Sequence, residues 1–319
     1  MIDEEIIKKQ IGNTLESFDL GKGEKYEGKV RDNFLLGEKR LIITTDRISA
    51  FDRVLTTIPF KGQVLNQISE FWFNNTKDIC RNHMLQVPDP NVMVVKDAKP
   101  FEVEMVIRGY ITGVTKTSIW YNYSNGARKF CGIDLPEGLK KDQKLDEPII
   151  TPTTKAAHGG HDESISKEEI LSRGLVSKED YEKMEEATYK LFEYGQKQVA
   201  KQGLILVDTK YEFGKDAEGV MVIDEMHTPD SSRFWVKESY DELFSKGEEQ
   251  QKLDKEYVRK FLADQGFIGD GEIPPIPDEV KVEAAKRYIT AFEKITGKEF
   301  LADNSNVTER IKNNLKEFI

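Results

Sequence analysis

Residues 204–235, LILVDTKYEFGKDAEGVMVIDEMHTPDSSRFW, hold the side chains best suited to chemistry. The segment reads as two strands joined by a GKDAEG turn, yet acids and a lysine stand within it. Side chains two apart share a strand face, so Asp208, Lys210 and Glu212 line one side of the first strand. Ile205, Val207, Tyr211 and Phe213 line the other. Asp224 closes the apolar run GVMVI and Glu225 follows it. A strand of this kind usually shows no more than a solvated outer face. Two features argue for a site. The run VMVI is continuous, as in strands covered on both sides, so an acid ending it is expected at the mouth of a cleft. Asp230, Ser231, Ser232 and Arg233 come directly after, and hydroxyls with an Arg fork make good anion ligands. Two carboxylates on neighbouring strands can hold Mg²⁺ between themselves and phosphate oxygens, which makes Glu212 and Asp224 candidate metal ligands. The turn leaves their register open.

Four other segments carry similar groups. GKVRDNF (Gly28–Phe34) sets Lys29 and Arg31 one residue apart, on one face if the segment is a strand. It is no Walker loop, and paired basic residues on a strand are often only solvated. TTDRISAFDR (Thr44–Arg53) packs Asp46, Ser49 and Asp52 into a strand-ending turn, where capping is the simple alternative to a site. FEVEMVIRGYITG (Phe101–Gly113) interrupts a β-branched run with Glu104 and Arg108. A buried Arg needs a partner, here either Glu104 or an anionic ligand. TPTTKAAHGGHDE (Thr151–Glu163) is a loop with Asp162, and its glycines let the backbone close over a ligand. His158 and His161 are too few and too close for a zinc site.

The elements that must position these groups follow from the rest of the chain. It has 319 residues, 38% hydrophobic and 33% charged, enough for a sizeable core and two lobes. The net charge of −10 repels nucleic acid and anionic membranes, so neither is an expected partner. Cys80 and Cys131 form no CxxC pair and suit a reducing compartment. The N-terminal stretch lacks an apolar signal core, and no run approaches the roughly 18 apolar residues of a membrane span, so the cytoplasm is the expected location. A helix is expected to about Leu15, a strand-rich region to about residue 110 with one helix over 62–82, then a long ordered loop over 125–163. Ser177 caps a helix running to Gln202, and helices are expected over 253–265, 278–295 and the last dozen residues.

The motifs GKVRD, TDRISAFD, EVEMVIRGYITG, TKAAHGGHDE, LVDTKYEFG and DEMHTPDSSRFW, in this order, resemble the SAICAR synthetase family. The resemblance implies an α+β fold with an antiparallel N-terminal sheet lobe (residues 1–110, ATP-binding) and a larger mixed lobe (residues 111–319). ATP would lie in a cleft like those of kinases and ATP-grasp enzymes. It further implies ligation of L-aspartate to 5-aminoimidazole-4-carboxy ribonucleotide with cleavage of ATP, through an acyl phosphate, by a monomer or homodimer. By position, Lys29 and Arg31 correspond to ATP-phosphate contacts, and Glu212 and Asp224 to Mg²⁺–ATP ligands. Lys210 and Asp208 correspond to groups at the transferred phosphoryl. Arg108 and Arg233, with Asp230 and Ser232, correspond to the grip on the ribonucleotide. Glu104 and Asp162 correspond to substrate-side acids, with Ser49 and Asp52 bordering the substrate. One departure stands out: the family serine after RGYITG is Val114 here, followed by Thr115. Two other readings are a small-molecule kinase on the same scaffold and a catalytically silent nucleotide-binding protein.

Overall fold

A computed structural model describes residues 2–51, 53–155, 162–253 and 256–318, with the side chain of Glu256 left aside. Helix α1 (Glu4–Gln10) opens the chain, and the Asp3 carboxylate accepts from the Glu5 N–H at its start. Strands β1 (Glu24–Glu27), β2 (Arg31–Leu36) and β3 (Lys39–Thr44) follow as an antiparallel meander. A tight turn within LLGEKRLI joins β2 to β3. A hairpin of β4 (Arg47–Ala50) and β5 (Arg53–Thr57) leads to helix α2 (Lys61–Asn75). That helix stops short of the expected residue 82, and the Thr76 hydroxyl turns back to donate to the Trp72 carbonyl. Strands β6 (Met84–Asp89) and β7 (Val92–Lys96) complete the first sheet in the order β1-β2-β3-β7-β6.

Strand β8 (Lys99–Ile111) begins a second sheet, so the sheets divide near residue 98 and not at 110. After helix α3 (Ile119–Ser124) come a short ribbon, β9 (Lys129–Phe130) with β10 (Ile133–Asp134), and then β11 (Gln143–Ile150) and β12 (Thr153–Thr154). Both β11 and β12 pair with β8, which corrects the reading of 125–163 as a loop. The sequence hides β11 because Pro148 and three charges break its pattern, and an edge strand tolerates both. Helix α4 (Lys167–Ser172) starts with a capping box between Ser166 and Glu169. Helix α5 (Lys178–Ala200) starts at Ser177, whose hydroxyl accepts from the Asp180 N–H as expected. Its buried stripe of Tyr181, Met184, Leu191, Phe192, Gly195 and Val199 packs on the second sheet.

The central strand is β13 (Leu204–Asp216), flanked by β8, β14 (Gly219–Ile223) and β15 (Ser232–Val236). It does not alternate throughout. An irregularity between Leu206 and Asp208 switches its faces. Leu204, Leu206, Tyr211 and Phe213 enter the main core, whereas Val207 packs with Trp235 and Tyr110. Ile205 and Val207 therefore do not share the face of Tyr211 and Phe213. Helices α6 (Lys237–Lys246), α7 (Glu256–Asp264), α8 (Asp278–Thr296) and α9 (Val307–Asn314) end the chain. Helix α8 packs on α2 and α5. Helix α9 returns to the first sheet, where Val307, Ile311 and Leu315 meet Phe34, Leu41 and Ile43.

Candidate functional site

The cross-strand register of the second sheet gathers most of the expected residues. Asp208 pairs with Arg108 and Glu212 with Glu104 across β13 and β8. Glu212 pairs with Ile223 across β13 and β14, so Asp224 emerges one residue beyond it. Asp224 takes a left-handed conformation with φ of 65°, a costly state for a non-glycine residue that turns the chain sharply there. A pocket of about 250 Å³ lies over this surface. Glu104, Arg108, Asp162, Asp208, Lys210, Asp230, Ser232 and Arg233 all line it.

One end of the pocket suits an anion. The buried Arg108 donates from Nε to Thr151 Oγ1 at 2.8 Å and from Nη2 to the Thr117 carbonyl at 2.9 Å. Its Nη1 lies 3.4 Å from Asp208 Oδ2, which also receives Arg233 Nη1. Asp208 thus stands between two guanidiniums and fixes both. This resolves the choice left open for Arg108: its carboxylate partner is Asp208, because the register places that residue and not Glu104 opposite it. Burial, together with Arg233, pulls Arg108 down from the usual guanidinium range against the opposing charge of Asp208. Ser232 Oγ shares a 2.7 Å hydrogen bond with Thr209 Oγ1 behind these groups.

The loop after Gly113 supplies hydroxyls. Val114 points outward and is 59% exposed. Gly113 has φ of 94°, and a Cβ on it would come within 2.4 Å of Ser118 Oγ and 3.1 Å of Arg233 Nη2. Ser118 and Arg233 therefore both flank Gly113, and Ser118 Oγ is 2.7 Å from Thr115 Oγ1. Thr115, Thr117 and Ser118 all line the pocket. Hydroxyls thus face the pocket from positions 115, 117 and 118, while position 114 carries none.

Farther along β13 acids surround one lysine: Glu104, Asp162 and Lys210 line the pocket, and Glu212 and Asp224 stand beyond its lining. Lys210 Nζ is 2.8 Å from Glu104 Oε1 and 3.3 Å from Glu212 Oε1. Thr153 Oγ1 donates to Glu104 Oε2 at 3.1 Å. Burial would lower the lysine, but Glu212 and Glu104 hold it above its usual range. Burial and the charges of Glu212 and Asp162 push Glu104 up against the pull of Lys210. Glu212 is held down, because Lys210 and Lys155 outweigh its burial. Asp224 is pushed up to about 6 by burial and by Glu212 and Glu225, although Arg31 opposes the shift. Among the described residues no group of three His, Cys, Asp or Glu side chains forms a ready metal site. Glu212 and Asp224 offer two carboxylates on adjoining strands.

Several expected placements are revised. Lys29 lies exposed in a bend before β2, so it does not share a strand face with Arg31. Arg31 is turned to acids: Nη2 is 2.7 Å from Glu225 Oε2 and Nη1 is 3.3 Å from Asp224 Oδ1. Asp46 is structural. Its carboxylate accepts from the Leu15 and Gly62 N–H groups at 2.7 and 2.8 Å, tying the N-terminal segment to the start of α2. Ser49 lies half-buried on β4 outside the pocket lining. Asp52 falls outside the described residues, as do His158 and His161. Phe51 stacks under Arg259 of α7 at 5.1 Å, and Arg259 lines the pocket. The sequence reading missed Arg259, Lys155, Ser118 and Glu225 as pocket or supporting groups. Only Glu225, beside Asp224, carried a local signal.

These features describe a polar pocket with two arginines at one end, on a mixed fold of antiparallel sheets and helices. The family model for SAICAR synthetase matches residues 24–272. A Legionella pneumophila (strain Paris) protein named phosphoribosylaminoimidazole-succinocarboxamide synthase is 48% identical over 301 residues, 93% of this chain and 96% of that one. A protein of the same name from Bacteroides fragilis (strain ATCC 25285) is 49% identical over 304 residues, 94% of this chain and 96% of that one. Among solved structures, the SAICAR synthase of Saccharomyces cerevisiae complexed with SAICAR aligns with a TM-score of 0.79 and 30% identity. That alignment covers 91% of this chain and 100% of the yeast chain. A SAICAR synthetase in complex with ADP aligns with a TM-score of 0.66 and 25% identity over 88% of this chain and 100% of that one. The chain belongs to the SAICAR synthetase family. No helix among the described residues is long and apolar enough to cross a membrane.

Proposed function

We propose that the protein is an ATP-dependent ligase of purine biosynthesis. It joins L-aspartate to the carboxylate of 5-aminoimidazole-4-carboxy ribonucleotide and yields SAICAR, ADP and phosphate. Family membership supports the reaction. One structural observation supports the assignment of parts: the pocket has an arginine end at Asp208 and an acid–lysine end at Glu104 and Lys210, and Lys210 reaches on to Glu212 beyond the lining. Four residues of strand, about 13 Å, separate Asp208 from Glu212, which is the scale of a mononucleotide.

In this reading Arg108 and Arg233 grip the ribonucleotide phosphate with Ser118, Thr115 and Ser232. Asp208 orients the two guanidiniums. Asp230, Glu104 and Asp162 face the rest of the nucleotide, with Ser49 and Asp52 at its border. Glu212 and Asp224 would hold Mg²⁺, which when bound neutralises charge on the ATP phosphates. The donor set suits a hard cation: both ligands are carboxylates, and the half-buried Asp224 stands among like charges that a cation relieves. Two protein carboxylates with substrate phosphate oxygens are a usual Mg²⁺ set. Lys29 reaches the polyphosphate from the bend before β2, and Arg31 orients Asp224.

Lys210 then stands where the γ-phosphoryl meets the substrate carboxylate. A carboxylate oxygen bonds to the γ-phosphorus as the bond to ADP breaks, giving an acyl phosphate. The aspartate amine bonds to the acyl carbon, loses a proton, and phosphate departs. Such steps need alignment and charge neutralisation more than covalent help. Lys210 supplies a fixed positive charge at the transfer point. The test is ADP release with ATP and the carboxy ribonucleotide, with and without L-aspartate, alongside detection of SAICAR. ADP release that needs no aspartate and yields a phosphorylated nucleotide would instead establish a small-molecule kinase.

A further inference from the structure

Lys61 and Tyr288 are used by nothing in the reading above, yet both end on a pocket residue. Lys61 is the first residue of α2 and is 0% exposed. Its Nζ lies 2.8 Å from Asp230 Oδ2. Tyr288, on α8, is also buried, and its hydroxyl donates to Asp230 Oδ1 at 2.7 Å. Lys61 Nζ sits 5.3 Å over the Tyr288 ring, so the two donors support each other. Asp230 lines the pocket beside Ser231, Ser232 and Arg233.

A buried ion pair is poor evidence of a stability device, because apolar replacements are often as stable. What it secures is orientation. Each Asp230 oxygen is held by a different helix, so the carboxylate plane is set. A carboxylate oxygen has two lone pairs, which leaves acceptor capacity for a ligand. The same turn is braced from within: the Asp230 N–H donates to Thr228 Oγ1 at 3.2 Å, and the Thr228 hydroxyl bonds Glu225. Tyr288 comes from a helix that begins at residue 278, beyond the segment 24–272 that the family model matches.

We propose that Lys61 and Tyr288 are positioning residues for the ribonucleotide substrate. They lock Asp230 as a fixed acceptor for a hydrogen-bond-donating group of the nucleotide, its ribose hydroxyls, next to the phosphate grip. Helix α8 is thereby part of the substrate site. The inference rests on the proposed function, so the unmodified enzyme is assayed first: if it makes no SAICAR, that reading fails and not this one.

With an active enzyme, Tyr288→Phe keeps the ring and removes one hydroxyl. The KM for the carboxy ribonucleotide rises about tenfold, the scale of one hydrogen bond to a charged group. The KM for ATP and kcat stay near their original values, and the melting temperature changes little. In an Asp230→Asn background, Tyr288→Phe adds no further change in KM. Lys61→Met acts in the same direction and more strongly; if it does not fold, Tyr288→Phe decides alone. An unchanged ribonucleotide KM, an equal rise in the KM for ATP, or full additivity with Asp230→Asn overturns the proposal. The first of these, with a lowered melting temperature, would leave Tyr288 a strut only.

Discussion

Two groups of buried charge differ in a way that separates structure from function. Under the first sheet, Arg310 of α9 donates to Asp89 at 3.0 and 3.2 Å, and to Asn91, while Asn314 donates to the same acid at 2.8 Å. Nearby, Arg47 donates to the carbonyls of Glu16, Gly28 and Lys29 and, at 2.9 Å, to Asp32. These groups are closed: carbonyls and carboxylates of the fold surround the guanidiniums, and none of them lines the pocket. On the second sheet, Arg108, Asp208, Arg233, Lys210 and Glu104 are also paired, yet all of them line the pocket. Buried charge alone therefore does not mark a site. What marks one is buried charge that still opens onto space and carries like-charge crowding, as at Glu104.

The contrast can be broken by substitution. Glu212→Gln should lower kcat on the order of 10³-fold, the scale of removing one preorganised charge-handling group, with the fold intact by circular dichroism. Turnover near the original level would remove Glu212 from the site. Arg310→Met should do the opposite. It strands Asp89 and should cost about 3 kcal/mol in denaturant unfolding, with kcat unchanged for the folded fraction. A lower kcat with unchanged stability would show that the closed cluster is not merely structural. Arg233→Met should raise the ribonucleotide KM about thirtyfold and leave the ATP KM alone, since a lost charged hydrogen bond is worth roughly 2 kcal/mol.

Acid offers a milder test of the closed regions. Burial holds His83 and His227 down at about 3, so both are neutral in the fold. The unfolded chain binds protons below about pH 6.5, so the stability of these sites is complete above that value and falls as pH drops toward 3. At pH 5.5 each histidine should cost roughly 1 kcal/mol. His83→Gln should flatten this part of the curve of melting temperature against pH; an unaltered slope would show that His83 does not titrate there. The smallest effect is expected for Val114→Ser. It should change the ribonucleotide KM by less than about twofold, since 114 faces outward and Ser118 already lines the pocket. A large gain in affinity would mean that Ser118 does not fill the role.

Much of this site was readable along the chain. Asp208, Lys210 and Glu212 stand out in the sequence because strand periodicity is local, and Asp224 because it ends an apolar run. Ser177 and its helix followed from capping chemistry alone. Other features were hidden because their causes are not local. The irregularity at Leu206–Asp208 answers to strand β15, and it moved Val207 to a different core from Tyr211. Strand β11 was invisible because an edge strand needs neither a clean pattern nor freedom from proline. Arg31 looked like a phosphate ligand because no sequence rule brings Glu225 to it.

By itself, then, the sequence determined which side chains are candidates for the chemistry and the strand order 208, 210, 212 in which they are presented. The motif resemblance it carries named the reaction. The tertiary structure decided the pairings. It set Asp208 and not Glu104 against Arg108, turned Ser118 and not Val114 to the pocket, and brought Lys61 and Tyr288 to Asp230. The reason is physical. Periodicity assigns a side chain to a face, but only sheet register and helix packing assign it a partner.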